Sequence, residues 1–250
     1  MTTSASIGIT GAAPSVRPRS VSYGHAHWYF LAALAATLAG FWPSFFRHLG
    51  AADFWHSLHG ITATLWIVGL ATQSWLMSRG RVRWHRRVAW GVLLLLPILV
   101  ISALYVVGVM QRNPAIPPFL HPFFAFIDLP SIAFLVVLVV LALRNVRVPA
   151  AHKRFMSATV LLGLPAALTR LYLTVFPNVH PMLAFYGSLV TVEVILLVLI
   201  ITDRRAGERR LAYPLSLAFF VAIHVLIGPV SSSGAWKAAM AWYGSLPVFS

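Results

Sequence analysis

Asp53, His56 and His59 stand three residues apart in the run Asp53-Phe54-Trp55-His56-Ser57-Leu58-His59, and each side chain can carry a proton or bind a metal. Spacing of three sets them on one face of a helix. The run opens a long apolar stretch, and ionisable groups are so costly inside hydrocarbon that those found there are functional candidates by default. The same chemistry recurs at His85, His121, His152, His180 and His224, while Asp128, Arg170 and Glu193 interrupt otherwise apolar segments. Imidazoles with carboxylates suit a transition metal such as zinc, iron or copper, with His56 and His59 as ligands from one helix. Paired histidines on different helices suit haem b. An arginine at the depth of a titrating histidine suits a proton-handling or anion-binding pocket for a quinone, a lipid or a transported solute. Polar contacts that only specify helix packing are the fourth reading, with small residues such as Gly60, Gly69 and Gly163 letting helices approach.

The elements that must position these residues follow from composition. Of 250 residues 59% are hydrophobic and 10% charged, and the mean hydropathy is +0.82. That is too apolar for a soluble domain of this length, so the sequence predicts an all-α, polytopic membrane helix bundle. There is no cysteine, which excludes disulfides, thiolate metal sites and iron–sulfur clusters. Seven apolar segments reach the ~20 residues a membrane crossing needs: His27 to Phe46, Phe54 to Met77, Val88 to Met110, Pro122 to Leu143, Phe155 to Phe176, Met182 to Ile201 and Leu211 to Val230. Residues 1–24, rich in Ser, Thr, Ala and Gly, read as a disordered cytoplasmic leader, residues 25–232 as the seven-span domain and 233–250 as an external tail.

Charge orients the bundle. Fifteen of the nineteen Lys and Arg residues fall before the first span or in the loops around residues 79–87, 144–154 and 204–210. By the positive-inside rule the amino terminus is then cytoplasmic and the carboxyl terminus external. The formal charge of +14 is accounted for by topology and contact with anionic membrane lipids, not by nucleic acid.

A weak repeat relates two hairpins. Trp84-His85-Arg86-Arg87 is followed by Gly91 and Pro97, and Ala151-His152-Lys153-Arg154 by Gly163 and Pro165; the two histidines lie 67 residues apart. Spans two to three and four to five are thus expected to be parallel copies about an axis along the membrane normal. Each proline would free a carbonyl one turn earlier and kink its helix.

Depth sorts the ionisable residues. At about 1.5 Å per residue, His59 lies ~8 Å inside the outer boundary and Asp128 and Arg170 each ~9 Å. These three define an outer layer, with Glu193 and His224 as further members, and Asp128 with Arg170 is expected as a buried ion pair. His59 with His224, or His85 with His152 at the inner end, are the candidate haem ligands.

The run His59-Gly60, Trp66, Gln73, Gly80-Arg81, His85-Arg86-Arg87, His152-Lys153-Arg154-Phe155-Met156 and Arg170 resembles a group of uncharacterised bacterial multi-pass membrane proteins. It covers about half of the chain. The arrangement is also distantly similar to cytochrome b-type transmembrane reductases, which hold two haems through histidine pairs, although the repeat counterpart of His59 falls near Asp128. The resemblance implies a bacterial inner-membrane protein and gives weight to His59, His85, His152 and Arg170. The expectation is membrane redox or quinone-linked chemistry, with haem b or a transition metal as cofactor; the alternatives are a transporter or small-molecule binder, or a structural or assembly partner of a membrane complex.

Overall fold

The computed structural model describes residues 25–50 and 52–249, so the leader assigned to residues 1–24 lies outside the described residues. Nine α-helices account for most of what is described: α1 Ala26–Phe41, α2 Phe54–Ser78, α3 Val82–Met110, α4 Leu120–Arg144, α5 Pro149–Leu161, α6 Leu164–Val175, α7 Pro181–Arg205, α8 Ala212–Ser232 and α9 Gly234–Ser245. Their boundaries have local causes. Asp53 caps α2 by accepting from the amides of Trp55 and His56, and Gly80, at φ 68°, ends the turn after α2 in a conformation that L side chains rarely adopt. Pro149 and Pro181 begin α5 and α7, where a missing N–H costs nothing.

Four helices are long and apolar enough to cross a membrane: α3, α4, α7 and α8. A fifth crossing is made if α5 and α6 are one bent span, for the segment read as a single helix from Phe155 to Phe176 is broken and bends by 41°. Pro165 sits at the start of α6 and has no N–H to give the carbonyl four residues earlier, and Gly163 beside it eases the bend. Pro97, by contrast, lies inside α3 without ending it. At 16 residues α1 is short for a span, and α2, at 25, carries histidines, hydroxyls and a glutamine that lower its hydropathy.

Packing gathers most of the bundle around two large apolar clusters, with a smaller third of Val107, Ala125 and Met240 under α9. One is built on α4, α5, α7 and α8 around Leu138, Phe155, Leu189 and Phe220; the other gathers α1, α2 and α3 around Phe30, Trp66, Leu70 and Leu99. α1 bridges α2 and α6. Its Gly40 lies so close to the Ala167 backbone that any side chain there would collide with it. Large apolar residues such as Leu94, Leu183 and Val225 remain exposed on the outer faces, a surface suited to lipid.

The last helix is a folded cap, not a loose tail. α9 lies against α3, α4 and α8, with the Trp236 indole donating to the Pro122 carbonyl at 2.8 Å and the Tyr243 hydroxyl to the Leu104 carbonyl at 2.8 Å. Arg112 donates to the Gly244 and Leu246 carbonyls and ties the α3–α4 loop to its end.

Candidate functional site

The loops joining α2 to α3, α4 to α5 and α7 to α8 lie at one end of the bundle, here the basic end. Along α2, His59, Thr62, Trp66 and Gln73 recur at offsets of three, seven and fourteen, which places them on one face. His59 lies toward the opposite end and Gln73 toward the basic end, ~21 Å apart at 1.5 Å per residue. Midway, the buried Trp66 indole donates to the Thr159 hydroxyl of α5 at 3.1 Å, and Thr159 donates to the Met156 carbonyl at 2.7 Å. A polar seam therefore runs between α2 and its neighbours from one end of the bundle to the other.

At the basic end the seam meets the repeat-related histidines. His85 is the fourth residue of α3 and His152 the fourth of α5. The His85 ring lies against the Gln73 backbone and within electrostatic reach of His152. His152 Nδ1 is 2.9 Å from the Ala142 carbonyl oxygen; since the carbonyl can only accept, Nδ1 carries the proton and a neutral ring presents the lone pair at Nε2. Gln73 is only 8% exposed, and both its amide oxygen and nitrogen are buried without a hydrogen-bond partner among the described residues. His85 Nδ1 is buried in the same condition. Buried polar atoms are satisfied in the large majority of cases, so this cluster of orphans stands out.

The basic end also holds a buried, doubly bonded ion pair. The Arg154 Nε and Nη2 donate to the two Asp203 carboxylate oxygens at 2.6 and 2.7 Å, and Nη1 donates to the Ala150 carbonyl at 2.7 Å. The arginine side chain is 0% exposed and the aspartate 5%. Sequence reasoning placed Arg154 in an interfacial basic cluster and did not single out Asp203. The available clue was that Asp203 is an acid among arginines at the end of an apolar helix, which is where a buried partner is needed.

The opposite end is differently arranged. His59 is half-buried, and its Nδ1 has no partner among the described residues. Asp128 of α4 and Arg170 of α6 feel each other's charge, but no ion-pair contact joins them. Arg170 instead donates Nη1 to the Ala166 carbonyl at 2.9 Å and stands 4.4 Å from the centroid of the Phe41 ring. No hydrogen bond reaches the Asp128 carboxylate from the described residues. The expected pair thus shares an electrostatic influence without sharing a bond.

Glu193 and His224 are brought together by α7 and α8: a Glu193 oxygen lies 3.0 Å from His224 Nδ1, and the Tyr186 ring stacks on the imidazole at 5.4 Å. His56 is engaged by Asp53, with 2.5 Å between His56 Nδ1 and Asp53 Oδ2. Partial burial raises the Asp53 carboxyl, but the hydrogen bonds and charge of His56 and the amide of Trp55 outweigh it and hold the group below its ordinary value. The metal reading of His56 and His59 has no third ligand, for no group of three or more His, Asp or Glu side chains among the described residues is placed to hold an ion. His180 caps α7 through the Met182 amide at 3.3 Å, and His121 Nε2 meets the Asn113 carbonyl at 3.1 Å. No family model, curated protein or solved structure matches the chain.

Proposed function

We propose that the chain is a quinone-linked redox protein of the bacterial inner membrane, with seven crossings, its basic end at the cytoplasm and its carboxyl terminus outside. The observation that carries the reading is the buried, unpartnered amide of Gln73 beside the unpartnered Nδ1 of His85. A quinone head supplies what they lack: its carbonyl oxygens accept from the Gln73 amide N–H, and the hydroxyls of its reduced form donate to the Gln73 oxygen or to an imidazole lone pair. An apolar wall with a few convergent polar groups is the usual form of such a site. Near the opposite end His59 and Asp128 are groups that can hold or pass a proton, and Arg170 supplies a fixed positive charge.

Haem b is a second reading, favoured by one observation, the tie between His152 Nδ1 and the Ala142 carbonyl. A ligating histidine commonly donates its other ring N–H in this way. His85 and His152 would hold the iron, and the group would supply one-electron chemistry when bound. The transporter reading draws on Asp128, an acid without a bonded partner, and the assembly reading on the large exposed apolar faces.

The test uses the purified full-length chain in detergent. Quinone extracted from the preparation, and short-chain ubiquinone binding followed by quenching of the total tryptophan fluorescence, should both be lost in Gln73→Leu by at least about tenfold, a change of ~1.4 kcal/mol. A Soret band abolished by His85→Ala or His152→Ala would establish the haem reading. A colourless preparation that neither carries nor binds quinone sinks both.

A further inference from the structure

A second candidate site lies at the basic end, at the junction of α7 and α8. Where α7 ends and α8 begins, a cleft of about 540 Å³ opens between Ile200, Asp203, Arg204, the 208–210 turn, Leu211 and Pro214. That volume falls within the roughly 300–1,000 Å³ typical of small-ligand sites. The turn is fixed by backbone bonds, from the Gly207 amide to the Arg204 carbonyl at 3.0 Å and from the Glu208 amide to the Asp203 carbonyl at 2.9 Å.

Charge in this cleft does not balance. The carboxylate of Asp203 is already taken by Arg154, and that of Glu208 by Arg210 at 3.0 Å. Arg204 and Arg209 are exposed, and no carboxylate among the described residues pairs with either. Arg204 and Arg209 thus line a concave site whose acids are paired elsewhere, and guanidinium binds phosphate oxygens in a bidentate geometry. The remaining walls are apolar, and Leu211, 74% exposed, projects beside the arginines. The two helices that form the cleft both qualify as membrane spans, so the cleft sits at their ends, where lipid headgroups lie.

We propose that this cleft binds the phosphodiester headgroup of one anionic phospholipid, with Arg204 and Arg209 on the phosphate and Ile200, Leu211 and Pro214 against the glycerol and first acyl carbons. The shared chemistry with free phosphate is the arginine pair. The apolar wall selects the lipid.

The experiment titrates the purified full-length chain with dihexanoyl phosphatidylglycerol, dihexanoyl phosphatidylcholine and inorganic phosphate, following binding by calorimetry. Phosphatidylglycerol should saturate a single site that the choline lipid does not fill and millimolar phosphate does not block. Arg204→Gln with Arg209→Gln should weaken it by about 25-fold, a factor of about five for each arginine. Arg144→Gln with Arg147→Gln, which removes two exposed charges from the neighbouring α4–α5 turn, should leave it within about twofold. Equal loss in both double variants would reduce the effect to a diffuse basic surface and overturn the site. Phosphate binding as tight as the lipid would overturn the lipid as occupant. Thermal unfolding of each variant without lipid separates lost binding from lost folding.

Discussion

Two arginine–aspartate pairs can be compared in this molecule. At the basic end Arg154 and Asp203 close on each other through two hydrogen bonds and leave almost no charged surface. Toward the opposite end Asp128 and Arg170 feel each other's charge, yet the guanidinium turns to a carbonyl and to Phe41 while the carboxylate accepts no hydrogen bond from the described residues. A saturated pair has no valence left for a ligand, and its work is to hold α5 against α7. An unsaturated pair keeps its cost and its reactivity. The same distinction marks off Gln73 and His85, whose open atoms lie within the same end as the saturated pair.

The largest effect should come from breaking the saturated pair. Arg154→Ala or Asp203→Ala leaves one charge buried alone, which costs about 3–5 kcal/mol, whereas Arg154→Met with Asp203→Leu should restore most of it. Thermal unfolding in detergent measures both, and a single variant within about 1 kcal/mol of the parent would place the pair in water-like surroundings. Next comes Gln73→Leu, which removes two unsatisfied buried atoms and should raise stability by about 1–3 kcal/mol while abolishing quinone binding. A loss of stability instead would mean that the amide is bonded in the native protein.

Smaller still is Asp53→Ala, which deletes the cap of α2 at about 1 kcal/mol. Because the Asp53 carboxyl titrates below its ordinary value, its contribution is complete above about pH 4 and fades as the pH falls through the lowered value. Denaturation of the parent and variant between pH 7 and 3 should therefore converge on the acid side. The smallest effect belongs to the unsaturated pair: a double-mutant cycle of Asp128→Asn and Arg170→Gln should show coupling below about 0.5 kcal/mol. A coupling as large as that between Arg154 and Asp203 would erase the contrast between the two ends.

Composition and periodicity made the helices legible, because apolar runs of this length have few other fates. The segments read as Phe54 to Met77 and Met182 to Ile201 appear as α2 and α7 with modest extensions. α3 starts at Val82, well before the apolar run, since a helix can continue through arginines once past the hydrocarbon. The order of residues along a helix axis was legible, since it follows from the rise per residue. Azimuth was not, and it decides whether Asp128 reaches Arg170. Nor was the Arg154–Asp203 bond, which spans 49 residues and involves an arginine whose neighbours Arg144 and Arg147 are exposed. Residue type could not distinguish them.

The bend between α5 and α6 makes this part of the bundle a joint instead of a rod. α5 bears His152 and Arg154 and is fastened to α4 and α8, while α6 bears Arg170 and is clamped by α1 and α7. His152 and Arg154 are thereby mounted on a different support from Arg170, so a shift that a ligand imposes on one half-helix can be absorbed at residues 162–163 without dragging the other half out of register.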